Sequence, residues 1–347
     1  ESSDTKNTKT IPNGKRLDET GRKAMQTPHV IMTLYYWYYF GIVEGNGRNH
    51  MAERATEARH PHSAGLHDQP APVVLERLLG AQEAALAKVR GALAVIEEAA
   101  EAGAAALRRG GKMGYAGAGS SGLMALADCL ELAGTFGIAP KDTPMMFAGG
   151  AAALLHMTGG VEDDPALAEA DFRAAGFAAG DVVLCLSASG TTPYTLVIAD
   201  LARKAGVTVA GFANVAGSPL LAVSDIAVCI ETGPEVVNGS TRMGAATAQK
   251  VALNMLSVLV GIRLGHVHDG YMVNLVADNA KLTGRAARIV ADLSGHGVDA
   301  ARAALALTGG AVKPAVLVSA GVAPDVAEAA LTASGGHLGP ALAAIKR

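Results

Sequence analysis

Five short apolar runs, most of them closing on Gly or Ser and each followed by a helix-length stretch, constrain this chain more than any other feature. They are MGYAGAG from Met113, MMFAGG from Met145, VVLCLSASG from Val182, VAGFAN from Val209 and IAVCIE from Ile226. Short apolar runs without polar alternation suit strands buried on both faces, and their alternation with helices gives a βαβα rhythm. The expected fold is therefore α/β, a mainly parallel sheet flanked by helices. Half of the 347 residues are apolar, enough for a sizeable core.

Around these strands lie helical segments. From Pro72 to Gly110 apolar residues recur at helical spacing, Val74, Leu75, Leu78 and Leu79 first, which predicts one long helix or a hairpin ended by Gly110-Gly111. A further long helix is predicted over Thr241 to Leu264. After about Ala286 the chain reads as short helices broken by Gly309-Gly310 and Gly335-Gly336, a small C-terminal helical domain. Residues 1–50 differ in composition: a polar start leads into VIMTLYYWYYFGIV, Val30 to Val43, with the only Trp and four of the seven Tyr. That run is shorter than the roughly 20 apolar residues of a membrane span, and no small-residue cleavage site follows to make it a secretory signal. We expect a foreign or disordered extension, or a misplaced start ahead of Met51. The expected division is 1–50, then 51–285 as the main domain with an N-terminal helical arm, then 286–347.

The formal net charge of −3, with Lys and Arg scattered, provides no basic field for nucleic acid or an anionic membrane. A small-molecule partner is the better expectation. Cys129, Cys185 and Cys229 are odd in number and set among apolar residues, which suits reduced core thiols and a cytoplasmic setting.

Two turns carry the chemistry. GAGSSG, Gly117 to Gly122, lies between a strand and a helix. Its glycines let backbone N–H groups approach an anion, the helix N-terminus adds positive partial charge, and Ser120 and Ser121 add hydroxyl donors beside Gly119. SASGTTPY, Ser187 to Tyr194, occupies the same kind of position, with Pro193 suited to a first helical turn. If both turns face one crevice beyond the carboxyl ends of the strands, Ser120, Ser121, Ser187, Ser189 and Thr192 converge on a phosphate. The alternative is that these hydroxyls are ordinary helix caps. Gly117, Gly119 and Gly122 also satisfy the dinucleotide spacing G-x-G-x-x-G, but no clear acidic residue ends a second strand at the required distance.

Two carboxylates stand out: Glu131, near the end of the apolar helical run LMALADCLELAG, and Glu162, which opens an EDD cluster. A carboxylate against a low-dielectric wall can exchange protons near neutrality, whereas on a solvated helix end or loop it does nothing of the kind. His266, His268 and Asp269, and the group His60, His62 and His67, raise a metal reading that no Cys pair or H-E-x-x-H motif supports; no metal is expected.

Taken together, TEARHPHSAGLH (Thr56 to His67), GAGSSG, the AGG turn at Ala148, EDD, SASGTTPY, GPEVVNGSTRMGAATAQKVALNMLS (Gly233 to Ser257) and VNLVADNAKL resemble the N-acetylmuramic acid 6-phosphate etherases of the sugar-isomerase (SIS) superfamily. The resemblance implies a homodimeric cytoplasmic lyase of cell-wall sugar recycling, with no metal or organic cofactor. Such an enzyme converts N-acetylmuramic acid 6-phosphate and water into N-acetylglucosamine 6-phosphate and D-lactate. It places the family's acid/base glutamate on Glu131 and its second functional glutamate on Glu162. It also draws Glu235, Ser240 and Arg242 to the substrate side of the site.

The departures concern charge. Leu123, Thr191 and Gly244 stand where this family usually has Arg, Arg and Lys, so phosphate depends on N–H groups, hydroxyls, helix dipoles and, by expectation, Arg242. Leu132, Ala133 and Gly134 replace a common Cys-Pro-Pro after the catalytic Glu. Two other readings compete: a non-catalytic phosphosugar sensor, and a sugar-phosphate isomerase or deacylase of the same superfamily.

Overall fold

The computed structural model describes residues 56–345. The reading of residues 1–50 as a foreign extension falls outside them. The N-terminal arm is α1 (Ala71–Ala87) and α2 (Leu93–Arg108), joined by a 3-10 turn at Lys88–Ala92. The helical periodicity is continuous across that joint, so the interruption was not visible in the apolar spacing.

Every predicted strand forms. In chain order the central elements are β1 (Met113–Gly117), α3 (Gly119–Phe136), β2 (Met145–Phe147), α4 (Gly150–Leu155), a 3-10 turn at Gly159–Asp163, α5 (Pro165–Ala175) and β3 (Val182–Leu186). There follow α6 (Pro193–Lys204), β4 (Thr208–Ala213), α7 (Pro219–Val223), β5 (Ile226–Cys229) and α8 (Gly244–Arg263). The sheet order is β2-β1-β3-β4-β5 with every pair parallel, and Tyr115 sits in register between Met145 and Leu184.

The pleat divides the apolar side chains between two layers of helices. Tyr115, Leu184, Leu186 and Phe212 face the core shared with α2, α3 and α8. Ala116, Val183, Cys185 and Val209 face the other core, shared with α6 and its neighbours. Burial on both faces explains why these strands are unbroken apolar runs. The helix α8 is long and apolar enough to span a membrane, but here it packs on α1, α2 and α3 as a core element. At the start of α3, a Cβ on Gly122 would lie 2.8 Å from the Gly117 carbonyl oxygen, so only glycine lets the first helical turn rest on the strand end.

A buried polar knot ties α3 to β1 and α8. The Asp128 carboxylate accepts from Tyr115 Oη at 2.9 Å, Asn254 Nδ2 at 2.8 Å and Ser257 Oγ at 2.9 Å. Burial pushes its pKa up, while those hydrogen bonds pull it down. Asp128→Ala would strand three donors in the core and is expected to cost about 2–4 kcal/mol in urea unfolding. An unchanged midpoint would show that the donors find other partners.

Cys129 and Cys185 are buried and all three described cysteines are free. Burial pushes the Cys129 thiol up to about 11, so it stays protonated, donating to the Thr143 carbonyl. Beyond α8 comes a hairpin, β6 (Val267–His268) and β7 (Tyr271–Met272), turning on Asp269 (φ 47) and Gly270 (φ 77). The Asp-Gly pair is a two-residue hairpin signal. The terminal helices α9 (Ala280–Ser294), α10 (Val298–Leu307), α11 (Val312–Ser319), α12 (Pro324–Ala333) and α13 (Leu338–Ile345) enclose a core of their own around Val290, Val316 and Leu317. Their run begins ahead of Ala286, where Asn279 caps α9 through the Leu282 N–H.

Candidate active site

The chain leaves β1 for β2 on one side and then places β3 on the other. The strand order therefore reverses between β1 and β3, and a crevice opens beyond their carboxyl ends. Both glycine- and serine-rich turns sit there. Neither helix is capped by its own side chain: the α3 cap position is Ala118, and the Thr192 hydroxyl at the head of α6 makes no capping bond. Thr192 is turned instead toward Ser187, 2.8 Å away, and Ser187 Oγ accepts the Gly190 N–H at 3.0 Å. Ser189 Oγ accepts the Thr191 N–H at 3.2 Å and pairs with Thr191 Oγ1 at 2.7 Å. The ordinary-cap alternative therefore fails for Thr192, and the open N–H groups of two helices remain available to an anion.

The turns line a cavity of about 370 Å³, of a size suited to a small ligand. Gly119, Ser120 and Ser121 form one wall, Ser189 and Thr192 another, and Glu162 a third. Ser187 is buried behind that wall and acts on the cavity through Thr192 and the Gly190 N–H. Glu162 lies so close to the first turn that a Cβ on Gly119 would come 2.6 Å from its Oε1, and Gly119 also has φ +52. The glycine is required twice over, by its backbone and by this carboxylate. Burial first and the neighbouring Asp163 second push the Glu162 pKa up from 4.5, making its ionised form a stronger base than an exposed glutamate.

The other sequence candidates are placed differently. Glu131 is exposed on α3 and does not line the cavity of its own chain; at 1.5 Å per residue it is roughly 18 Å along the helix from Gly119. The two prolines usual after this glutamate are Ala133 and Gly134 here, and α3 runs on unbroken to Phe136. Glu235 is buried, and its two oxygens accept the Gly244 and Ala245 N–H groups at 3.0 and 2.9 Å. It therefore neutralises the start of α8. Ser240 and Arg242 alternate with cavity residues Gly239 and Thr241 without lining the cavity themselves. Sequence reasoning missed Thr56 and Glu57, whose only signal was their place in a long ordered resemblance, and Gly239 and Thr241 beside the residues it chose.

Among the described lining residues there is no Lys, Arg or His. The three positions where the resemblance implies cations hold neutral residues. Leu123 is half-buried in α3, Thr191 pairs with Ser189, and a Cβ on Gly244 would lie 2.9 Å from the Ala85 Cβ and 3.2 Å from Glu235 Oε2. A lysine at Gly244 would need α1 to move. The histidines go elsewhere: His60 Nδ1 accepts the His62 N–H, His67 lies beside Asp68, and His266 packs near Lys313 and His337, where burial brings its pKa down to about 4. Among the described residues no three His, Cys, Asp or Glu side chains converge on a metal position.

Residues 81–214 match the SIS domain family. A Deinococcus radiodurans protein named N-acetylmuramic acid 6-phosphate etherase is 42% identical over 265 residues, covering 76% of this chain and 87% of that one. Proteins of the same name from Pectobacterium atrosepticum (38% identical; 79% of this chain, 90% of the other) and Streptomyces coelicolor (40%; 78% and 87%) are similar over the same extent. With identity at this level across most of both partners, and with the turns and Glu162 meeting at the sheet's switch point, the chain belongs to the N-acetylmuramic acid 6-phosphate etherase family.

Proposed function

We propose that this chain is a carbon–oxygen lyase that converts N-acetylmuramic acid 6-phosphate and water into N-acetylglucosamine 6-phosphate and D-lactate. The observation that carries the reading is Glu162, a carboxylate of raised basicity held over a phosphate-type turn inside one cavity. In the open-chain sugar the aldehyde acidifies the C2–H. Glu162 takes that proton, the C3–O bond breaks with its electrons on the lactyl oxygen, and an acid protonates the departing lactate. Water then adds across the C2–C3 double bond, OH to C3 and H to C2, which balances the reaction. D-lactate measured after mixing purified protein with the substrate tests this. Tight binding without lactate would instead indicate the phosphosugar sensor, and ketose formation the isomerase.

Phosphate is assigned to the N–H groups and hydroxyls of Gly119, Ser120, Ser121, Ser189 and Thr192. Ser189→Ala is expected to weaken sugar-phosphate binding about 10- to 150-fold, the equivalent of one lost hydrogen bond to a charged group, and to leave the unphosphorylated sugar nearly unaffected. Ser187→Ala is expected to act in the same direction by loosening the turn. Equal losses for both ligands, measured by calorimetry, would move these serines away from the phosphate.

The proposed setting is cytoplasmic recycling of cell-wall sugar by a homodimer. In support, α1 exposes Leu75, Leu79 and Leu86, its packing neighbour α8 exposes Met255, Val258 and Ile262, and Leu130 is exposed beside Glu131. Apolar surface of this extent suits a two-fold interface. In that dimer we assign Glu131 to the cavity of the partner copy, as the acid that protonates lactate.

A further inference from the structure

A carboxylate besides Glu162 lines the cavity. Thr56 and Glu57 line it from the segment ahead of α1. Thr56 is buried, and farther along the same segment Ser63 Oγ donates to the Val236 carbonyl at 2.7 Å, tying the segment to the loop that carries Gly239 and Thr241. On that loop Gly239 has φ +70, and a Cβ there would lie 3.1 Å from Glu57 Oε2 and 3.3 Å from Oε1. Glu57 and Glu162 are thus each seated against a left-handed glycine at the same cavity.

Among the described residues the exposed Glu57 side chain makes no hydrogen bond or ion pair. No described cation lines the cavity either. An ionised carboxylate is an acceptor only, so the groups that suit it are neutral donors, and a phosphate beside it would be repelled. The anion end of the cavity is already defined by the helix N-termini at Ser120 and Thr192. We infer that Glu57 is a specificity-determining residue that accepts a hydrogen bond from a hydroxyl of the sugar chain, away from its phosphate, so that the cavity selects a polyhydroxylated sugar phosphate over other phosphate esters. This inference rests on the proposed lyase reading and names how the same site recognises its substrate.

Calorimetry with N-acetylglucosamine 6-phosphate and its single-deoxy analogues, on wild type and Glu57→Gln, tests it. Glu57→Gln is expected to weaken the parent sugar about 10- to 100-fold and to raise KM more than it lowers kcat. For one deoxy analogue the difference between wild type and variant is expected to vanish, since the hydroxyl that Glu57 holds is then missing from both. Glu57→Asp, which keeps the charged acceptor but shortens its reach, is expected to fall between wild type and Glu57→Gln, whose amide oxygen is only a neutral acceptor. An unchanged affinity for the parent sugar, or the same loss for every analogue, would overturn the inference, the second because it marks a change in cavity shape alone. A wild type that releases no lactate fails the underlying reading instead, and an active wild type with an indifferent Glu57→Gln fails this one alone.

Discussion

Glu162→Gln is expected to lower D-lactate release about 10²- to 10⁴-fold, with a much smaller change in affinity for the product sugar phosphate. Gln keeps the shape of the side chain against Gly119 but cannot take a proton from C2. The same variant is expected to stop exchange of the C2 proton with solvent deuterium, because exchange needs only the base. The pH dependence follows from the sign of the shift. A base works when ionised, so kcat/KM falls as pH drops through its pKa, and since burial and Asp163 raise that pKa, the fall is expected above the usual glutamate value of 4.5. Asp163→Asn removes the lesser cause and is expected to move the acid limb down while leaving burial's share in place. Wild-type lactate release by Glu162→Gln would remove Glu162 from the chemistry. Retained C2 exchange without lactate would exchange its role with that of Glu131.

What could be read from the residues alone was set by how local each signal is. The strands were legible because burial on both faces leaves an apolar run such as Val182–Leu186, and the two turns because glycine and serine at a strand-to-helix junction do their work within a few residues. Glu57 was not, since its position depends on the contact with Gly239 far along the chain. Nor was the role of Glu235: a glutamate in a resemblance motif carries no mark that distinguishes a ligand contact from the cap of α8. The 3-10 break at Lys88–Ala92 preserves the apolar spacing of a continuous helix, and so left no trace in the periodicity.

The absence of Lys, Arg and His among the described lining residues bears on affinity more than on chemistry. In the proposed site a phosphate held by amides and hydroxyls would keep its geometry, because Ser187, Ser189, Thr191 and Thr192 fix one another within the turn. What falls away is the long-range attraction that Arg and Lys provide, and Glu57 and Glu162 oppose an approaching dianion. Binding should therefore weaken with salt less steeply than in a relative that keeps those cations.

Mixing two inactive variants is expected to restore activity. Glu131→Gln alone should lower lactate release about 10²-fold or more, since it removes the proton for the departing oxygen while leaving the cavity of its own chain intact. The geometry makes a second demand: Glu131 lies roughly 18 Å along α3 from Gly119 and does not line the cavity beside that glycine. If it serves the partner's cavity, a dimer of one Glu131→Gln chain and one Glu162→Gln chain has one site with both glutamates and one with neither. Random re-pairing of equal amounts makes half the dimers mixed, and half of their sites complete, so about one quarter of wild-type activity should return. If Glu131 acted within its own chain, every mixed site would lack one glutamate and none would return. Sedimentation has to show dimers in both preparations before mixing, and a dimer-sized species with no recovered activity after re-pairing would place the lactate-protonating acid on a residue other than Glu131 of the partner.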